Sequence, residues 1–140
     1  MNIGEIDCRE GILLSVERDY YATFDEAVQQ TLNVFLPVLR DLVAVHKLRV
    51  YVHPIPPVLD VTRAIVIRYN AFYKRAVAGL KGVQWLDFFD DLVDTVQSAD
   101  ALEAPKVTLK PEFALDGTHL NPSYLRLLET SLKKLDKATK

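Results

Sequence analysis

The sequence predicts an α/β fold, with a parallel sheet and crossover helices. Three observations predict it. Short runs rich in β-branched and aromatic residues occur at 48–53 and 83–88. Amphipathic helical patterns lie before, between and after them. The resulting order is strand end, helix, strand, helix, strand, helix, and such alternation implies parallel pairing through right-handed crossovers. At 140 residues the chain is expected to be a single domain, 1–140.

Residues 1–9, MNIGEIDCR, read as the last piece of a strand running into a polar loop. Residues 10–22 are mixed and read as loop or a short turn. Thr23 to Glu26 makes a Thr-x-x-Glu capping box, which opens a helix through about His46. Phe24, Val28, Leu32, Phe35, Leu39 and Leu42 share one face of it. Pro37 lies inside this helix and is expected to kink it or divide it in two. The strand 48–53 is ended by Pro54-Ile55-Pro56-Pro57, since proline cannot donate to a ladder. Asp60 is placed to cap a helix over 61–79, which carries Ile65, Tyr69, Phe72 and Tyr73 and is ended by Gly79 or Gly82. A strand at 83–88 follows, then a polar, less periodic stretch over 89–114 with a short helix near 90–97. The last helix covers 122–137, and its lysines 133, 134 and 137 suit the negative end of the helix dipole.

A formal net charge of −2 gives no reason to expect nucleic acid or an anionic membrane as the main partner. The sequence has neither a basic stripe nor an aromatic platform for bases. No apolar stretch approaches the length of a membrane span. Cys8 is the single cysteine, so no internal disulfide forms. Met1-Asn2-Ile3-Gly4-Glu5 lacks the basic and apolar regions of a signal peptide, and the compartment is left open.

Chemistry concentrates in Leu115-Asp116-Gly117-Thr118-His119-Leu120-Asn121-Pro122. An acid and an imidazole sit three residues apart in a tight turn. Gly117 is expected to permit that turn. Asn121 reads as the N-cap and Pro122 as the first helical residue. Leu120 and Leu125 take the positions of a hydrophobic staple. A carboxylate that orients a histidine, leaving it free to take a proton, is two thirds of a hydrolytic triad. In a parallel sheet ligands bind beyond the carboxyl ends of the strands, where the loops 4–9, 53–58 and 115–121 are expected to meet.

These segments together resemble the SGNH, or GDSL-type, hydrolases. Asp116-Gly117-Thr118-His119, with Leu120-Asn121-Pro122, resembles the closing Asp-x-x-His block of that family. Gly4-Glu5-Ile6-Asp7 sits where its Gly-x-Asn-Asp block falls. Val52 to Val58, VHPIPPV, resembles its proline-rich loop, and Tyr69-Asn70-Ala71-Phe72 its asparagine-bearing helix. The resemblance spans nearly the whole chain and implies a flavodoxin-like three-layer α/β/α sandwich. It also implies ester hydrolysis on a small-molecule or glycan acyl ester, with no cofactor. Asp116 and His119 would be catalytic, and Gly4, Asp7, Arg9 and His53 would line the oxyanion site and cleft. Ile6 stands where the family has an oxyanion-donating asparagine; Arg9 is a nearby donor that either replaces it or pairs with Asp7. The Gly-Asp-Ser and glycine blocks are absent. The chain thus resembles the C-terminal half of such a hydrolase, its first strands and nucleophilic serine expected upstream. The sheet edge left uncovered is expected to favour self-association.

Other readings compete. The Asp-x-x-His could be a capped surface turn, and the chain a non-catalytic relative that binds or supports. Cys8 lies on a loop expected to face the cleft, which allows a Cys-His-Asp triad or a small buried residue. Ser15 and Ser123 are not on a strand-to-helix elbow. His53, Asp116 and His119 have no ligand-spaced pair, so no metal is expected. His46 suits a helix C-terminus, and His53, at a strand end, reads as structural before it reads as a pocket residue. Tyr69, Phe72, Tyr73 and Trp85 read as core.

Overall fold

In the computed structural model, residues 11–96 and 106–138 are described, and everything below refers to them. The expectations for residues 1–9, including Gly4, Asp7, Cys8 and Arg9, lie outside the described residues. The chain forms α1 (Ile12–Glu17), α2 (Phe24–Ala44), β1 (Val50–Val52), α3 (Arg63–Ala78) and β2 (Val83–Trp85). Then come α4 (Phe89–Leu92), β3 (Val93–Val96), β4 (Lys106–Leu109) and α5 (Leu125–Ala138).

β1 and β2 pair in parallel, Val50 opposite Val83 and Val52 opposite Trp85, with α3 as the connection. Both strands are shorter than the runs 48–53 and 83–88, although Leu86 N still donates to the Val52 carbonyl at 2.7 Å. Alternation along β1 divides the core. Val50 and Val52 join α1, α2 and α3 in one apolar cluster around Val28, Leu32, Tyr69 and Tyr73. Tyr51, between them, joins a second cluster with Phe88, Phe113, β4 and α5. A strand apolar on both faces is the mark of a parallel sheet covered on both sides. The architecture is therefore mixed α/β with a small parallel sheet.

Several local expectations change. Residues 12–17 are helical, not loop: Ile12, only 3% exposed, anchors this turn in the first cluster. α2 runs unbroken through Pro37. The proline sits on the exposed face beside exposed Asn33, whose freed carbonyl water can satisfy. Thr23 caps α2 as expected, its Oγ1 accepting from Glu26 N at 3.2 Å. The return arm lands one residue early, on Ala22 N at 2.9 Å. Asp60 does not cap α3; it begins a 3-10 turn and pairs with Arg63. Gly79 ends α3 with ordinary negative φ, whereas Gly82 makes the left-handed turn into β2 at φ +81. A Cβ at Gly82 would lie 2.5 Å from Val43 Cγ1, so glycine is required there.

The stretch 89–114 departs most. The helix ends at Leu92, and an antiparallel pair follows, Val93 opposite Leu109 and Val96 opposite Lys106. Only Val93 of β3 is buried, so the stretch lacks the apolar alternation that announces a strand. Before α5, Pro122–Tyr124 form a 3-10 turn capped by Asn121, whose Oδ1 accepts from Ser123 N at 3.0 Å. The staple does not form: Leu120 packs in the second cluster while Leu125 stays 49% exposed.

Candidate functional site

The Asp-x-x-His turn is a small closed hairpin. Leu115 N donates to the His119 carbonyl at 3.0 Å, Ala114 bridges Leu120, and Asn121 N donates to the Phe113 carbonyl at 2.7 Å. The Asp116 side chain fills it. Its Oδ1 accepts from Thr118 N at 2.7 Å, His119 N at 2.8 Å and Thr118 Oγ1 at 3.0 Å. A Cβ on Gly117 would meet nothing within 4 Å, and its φ is not left-handed. The turn is thus closed by the aspartate, as such side chains close turns generally, and the role expected for glycine falls away.

The same carboxylate holds the imidazole. His119 Nδ1 lies 2.9 Å from Asp116 Oδ2 and 3.0 Å from Oδ1. A carboxylate only accepts, so Nδ1 carries the proton and Nε2 is left as an acceptor. The Thr118 N–H foremost, and then the His119 ring, hold the Asp116 carboxyl at about 2, below its ordinary 3.8. Asp116 is accordingly ionised at neutral pH. Both side chains are largely exposed, His119 at 69% and Asp116 at 52%.

Across a cavity of about 370 Å³ lies the proline-rich segment. His53, Pro54, Pro56 and Val58 line it on that side; Thr118, His119, Leu120 and Tyr124 line it from the turn and the start of α5. The segment is buried from Pro54 to Val58 and is fixed from below. Buried Asn70 on α3 accepts from Ile55 N and donates to the Ile55 carbonyl, both at 2.9 Å. Buried Arg63 donates through Nε to the Pro57 carbonyl at 3.2 Å and through Nη1 to the Val107 carbonyl at 2.9 Å, which ties the segment to β4. These contacts replace the strand hydrogen bonds that prolines cannot make.

His119 and His53 thus line one cavity, and Asp116 reaches it only through the His119 ring that it holds. Ser15 Oγ donates to the Ile12 carbonyl and Ser123 Oγ to the Glu112 carbonyl, each at 2.7 Å, and neither lines the cavity. No serine or cysteine among the described residues does so. His46 lies exposed beyond the end of α2. Among the described residues no three His, Cys, Asp or Glu side chains converge as a metal site requires, and no helix is long and apolar enough to cross a membrane. Thr118, Phe88, Tyr124 and Arg63 were not singled out by the sequence. Thr118 carries a local signal, as the one hydroxyl between the acid and the base. The other three become site residues only through packing.

Fold and site together define a mixed α/β protein whose cavity is flanked by an oriented acid–imidazole pair and a clamped proline-rich segment. No family model and no curated protein matches the sequence. A solved structure from Streptococcus pneumonia, provisionally named a platelet activating factor, is similar at a TM-score of 0.57 and 23% identity. The match covers 79% of this chain and 52% of that one, so the chain spans about half the neighbour's length. At this identity the likeness establishes a shared fold.

Proposed function

We propose that this chain carries the Asp-x-x-His half of an SGNH-type ester hydrolase. The observation that carries the reading is the His119 ring, fixed through Nδ1 by an ionised carboxylate at 2.9 Å and lining a cavity. A serine outside the described residues would attack an acyl carbonyl. His119 Nε2 would take its proton and later return it to the leaving alkoxide, while Asp116 stabilises the imidazolium between the two transfers. Backbone amides, with Gly4 or Arg9, would hold the oxyanion, and Asp7 would border the cleft. No cofactor enters this chemistry. A flavodoxin-like three-layer sandwich belongs to the same proposal, with further strands beyond β1 supplied by residues not described.

A second reading has its own support. No serine or cysteine among the described residues lines the cavity, as befits a non-catalytic relative that binds an ester or sugar without cleaving it. One assay on nitrophenyl acetate decides between them, run on the 140-residue chain and on a protein extended upstream through any Gly-Asp-Ser its coding sequence holds. The chain alone is expected to lack enzyme-like turnover. The extended protein is expected to turn over and to lose at least ~10³-fold on His119→Ala, because triad members act as a unit. Turnover indifferent to His119 overturns the hydrolytic reading. Turnover by the short chain that thiol reagents block and Cys8→Ser abolishes would transfer the nucleophile's role to Cys8.

A further inference from the structure

His53 faces the same cavity as His119 from the opposite side, and the Asp-x-x-His chemistry leaves it unused. Its Nδ1 lies 2.8 Å from the Pro54 carbonyl oxygen. A carbonyl only accepts, so Nδ1 bears the hydrogen and the neutral ring has its lone pair on Nε2. The ring stacks on Phe88 with centroids 6.1 Å apart and planes 30° apart, and Pro54, whose carbonyl it holds, is itself buried. Its tautomer and its tilt are thus both set by neighbours. Nε2 is the one polar atom of this ring without an assigned partner, and the ring lines the cavity.

The rest of the lining narrows the ligand. It holds no lysine, arginine, aspartate or glutamate among the described residues, and the apolar walls from Pro54, Pro56, Val58, Phe88, Leu92 and Leu120 stand beside nearly as much uncharged polar surface. A charged ligand would meet no lysine, arginine, aspartate or glutamate there to balance the water it gives up. A ligand with an apolar body and one hydrogen-bond donor suits it, in the usual manner of small-molecule sites. Of the two imidazole acceptors, His119 Nε2 is reserved by the proposed hydrolysis for the nucleophile's proton. His53 Nε2 is left for the ligand.

We infer that the cavity takes an uncharged acyl ester bearing a hydroxyl group, and that His53 selects the hydroxyl by accepting its hydrogen bond. This rests on the hydrolytic reading for the ester, and on His53 alone for the hydroxyl. The test is a binding measurement on the 140-residue chain, read from the ligand by saturation-transfer NMR so that oligomeric state does not matter. The probes are 2-hydroxyethyl butyrate, 2-methoxyethyl butyrate and butyrate. The hydroxyl ester is expected to bind ~5-fold more tightly than its methyl ether, about what one neutral hydrogen bond contributes, and butyrate more weakly than either. His53→Phe keeps the ring and its stacking on Phe88. It should bring the ratio to one, and the circular dichroism spectrum of the unaltered chain, retained by the variant, reports that it folds.

Equal binding of the two esters by the unaltered chain overturns the inference without any variant. So does a preference that survives His53→Phe and disappears in His119→Phe, or tighter binding of butyrate. None of these readings involves turnover. A hydroxyl preference in a protein that never hydrolyses esters would remove the hydrolytic reading and leave the His53 subsite standing.

Discussion

Replacing Asn70 by leucine tests what holds the proline-rich wall of the cavity. Asn70 is 6% exposed and Ile55 1% exposed, so water cannot take over the two bonds that are lost. Each buried group left without a partner costs roughly 1–3 kcal/mol, and leucine returns part of this through its apolar volume. The net destabilisation should be ~2–4 kcal/mol, or roughly 6–12 °C in Tm for a chain of this size. Urea unfolding followed by circular dichroism reads it as a fall in midpoint at constant slope. Asn70→Asp sharpens the test. An aspartate keeps the acceptor for Ile55 N–H but turns a carboxylate toward the Ile55 carbonyl, so burial and that carbonyl should raise its pKa above the unfolded value near ~4. The penalty is then full above the raised folded pKa and fades as pH falls to the unfolded value, where the neutral acid donates to the carbonyl. Asn70→Asp should thus be the less stable of the two at pH 7 and recover toward pH 4, each measured against the unaltered chain at the same pH. An Asn70→Leu variant within ~0.5 kcal/mol of the unaltered chain would refute the reasoning that these two bonds fix the wall.

The Asp116 carboxyl should titrate near 2 by carbon NMR, and Thr118→Gly, which removes the hydroxyl and loosens the backbone donor, should raise it. Because its folded pKa lies below the ordinary 3.8, its contribution to stability is present above that value and is lost as pH falls toward about 2; acid unfolding of Asp116→Asn should lack that component. Gly117→Ala should be neutral within ~0.5 kcal/mol, whereas Gly82→Ala should cost at least ~1 kcal/mol from its left-handed φ and the Val43 contact, as thermal melts will read. Thr23→Ala should lower stability by ~1 kcal/mol, the worth of a cap, in the same melts. Among the described residues β1 has a strand on one side only, so light scattering on the 140-residue chain should show dimers or larger species, and a monodisperse monomer would count against an open edge.

Where the signal is local, the sequence was legible. The Thr23 cap, the apolar face of α2, the Asn121 cap and the Asp-x-x-His spacing each involve residues within four positions of one another, and periodicity or side-chain reach suffices to read them. Strand alternation with helices likewise announced the parallel pairing of β1 with β2, because a crossover connection leaves few other arrangements. The Asp-x-x-His spacing also announced that the Asp116 carboxylate would reach the His119 ring, because three residues of a tight turn keep the two side chains within reach.

What depended on distant partners was decided by the tertiary structure. The β3–β4 pair shows little apolar alternation and exists because the strands satisfy each other's backbone and Val107 and Leu109 pack against the second buried cluster. Arg63 and Asn70 look like ordinary helical residues until α3 carries them beneath a segment whose prolines leave carbonyls and one amide to be bonded. Gly117 and Gly82 look alike in sequence, yet only Gly82 needs to be glycine, because the space at Cβ belongs to Val43, nearly forty positions away. The cavity itself is of this kind: His53 and His119 stand 66 residues apart, and only the packing of α5 and the turn against β1 and its proline-rich extension brings the two imidazoles to one surface.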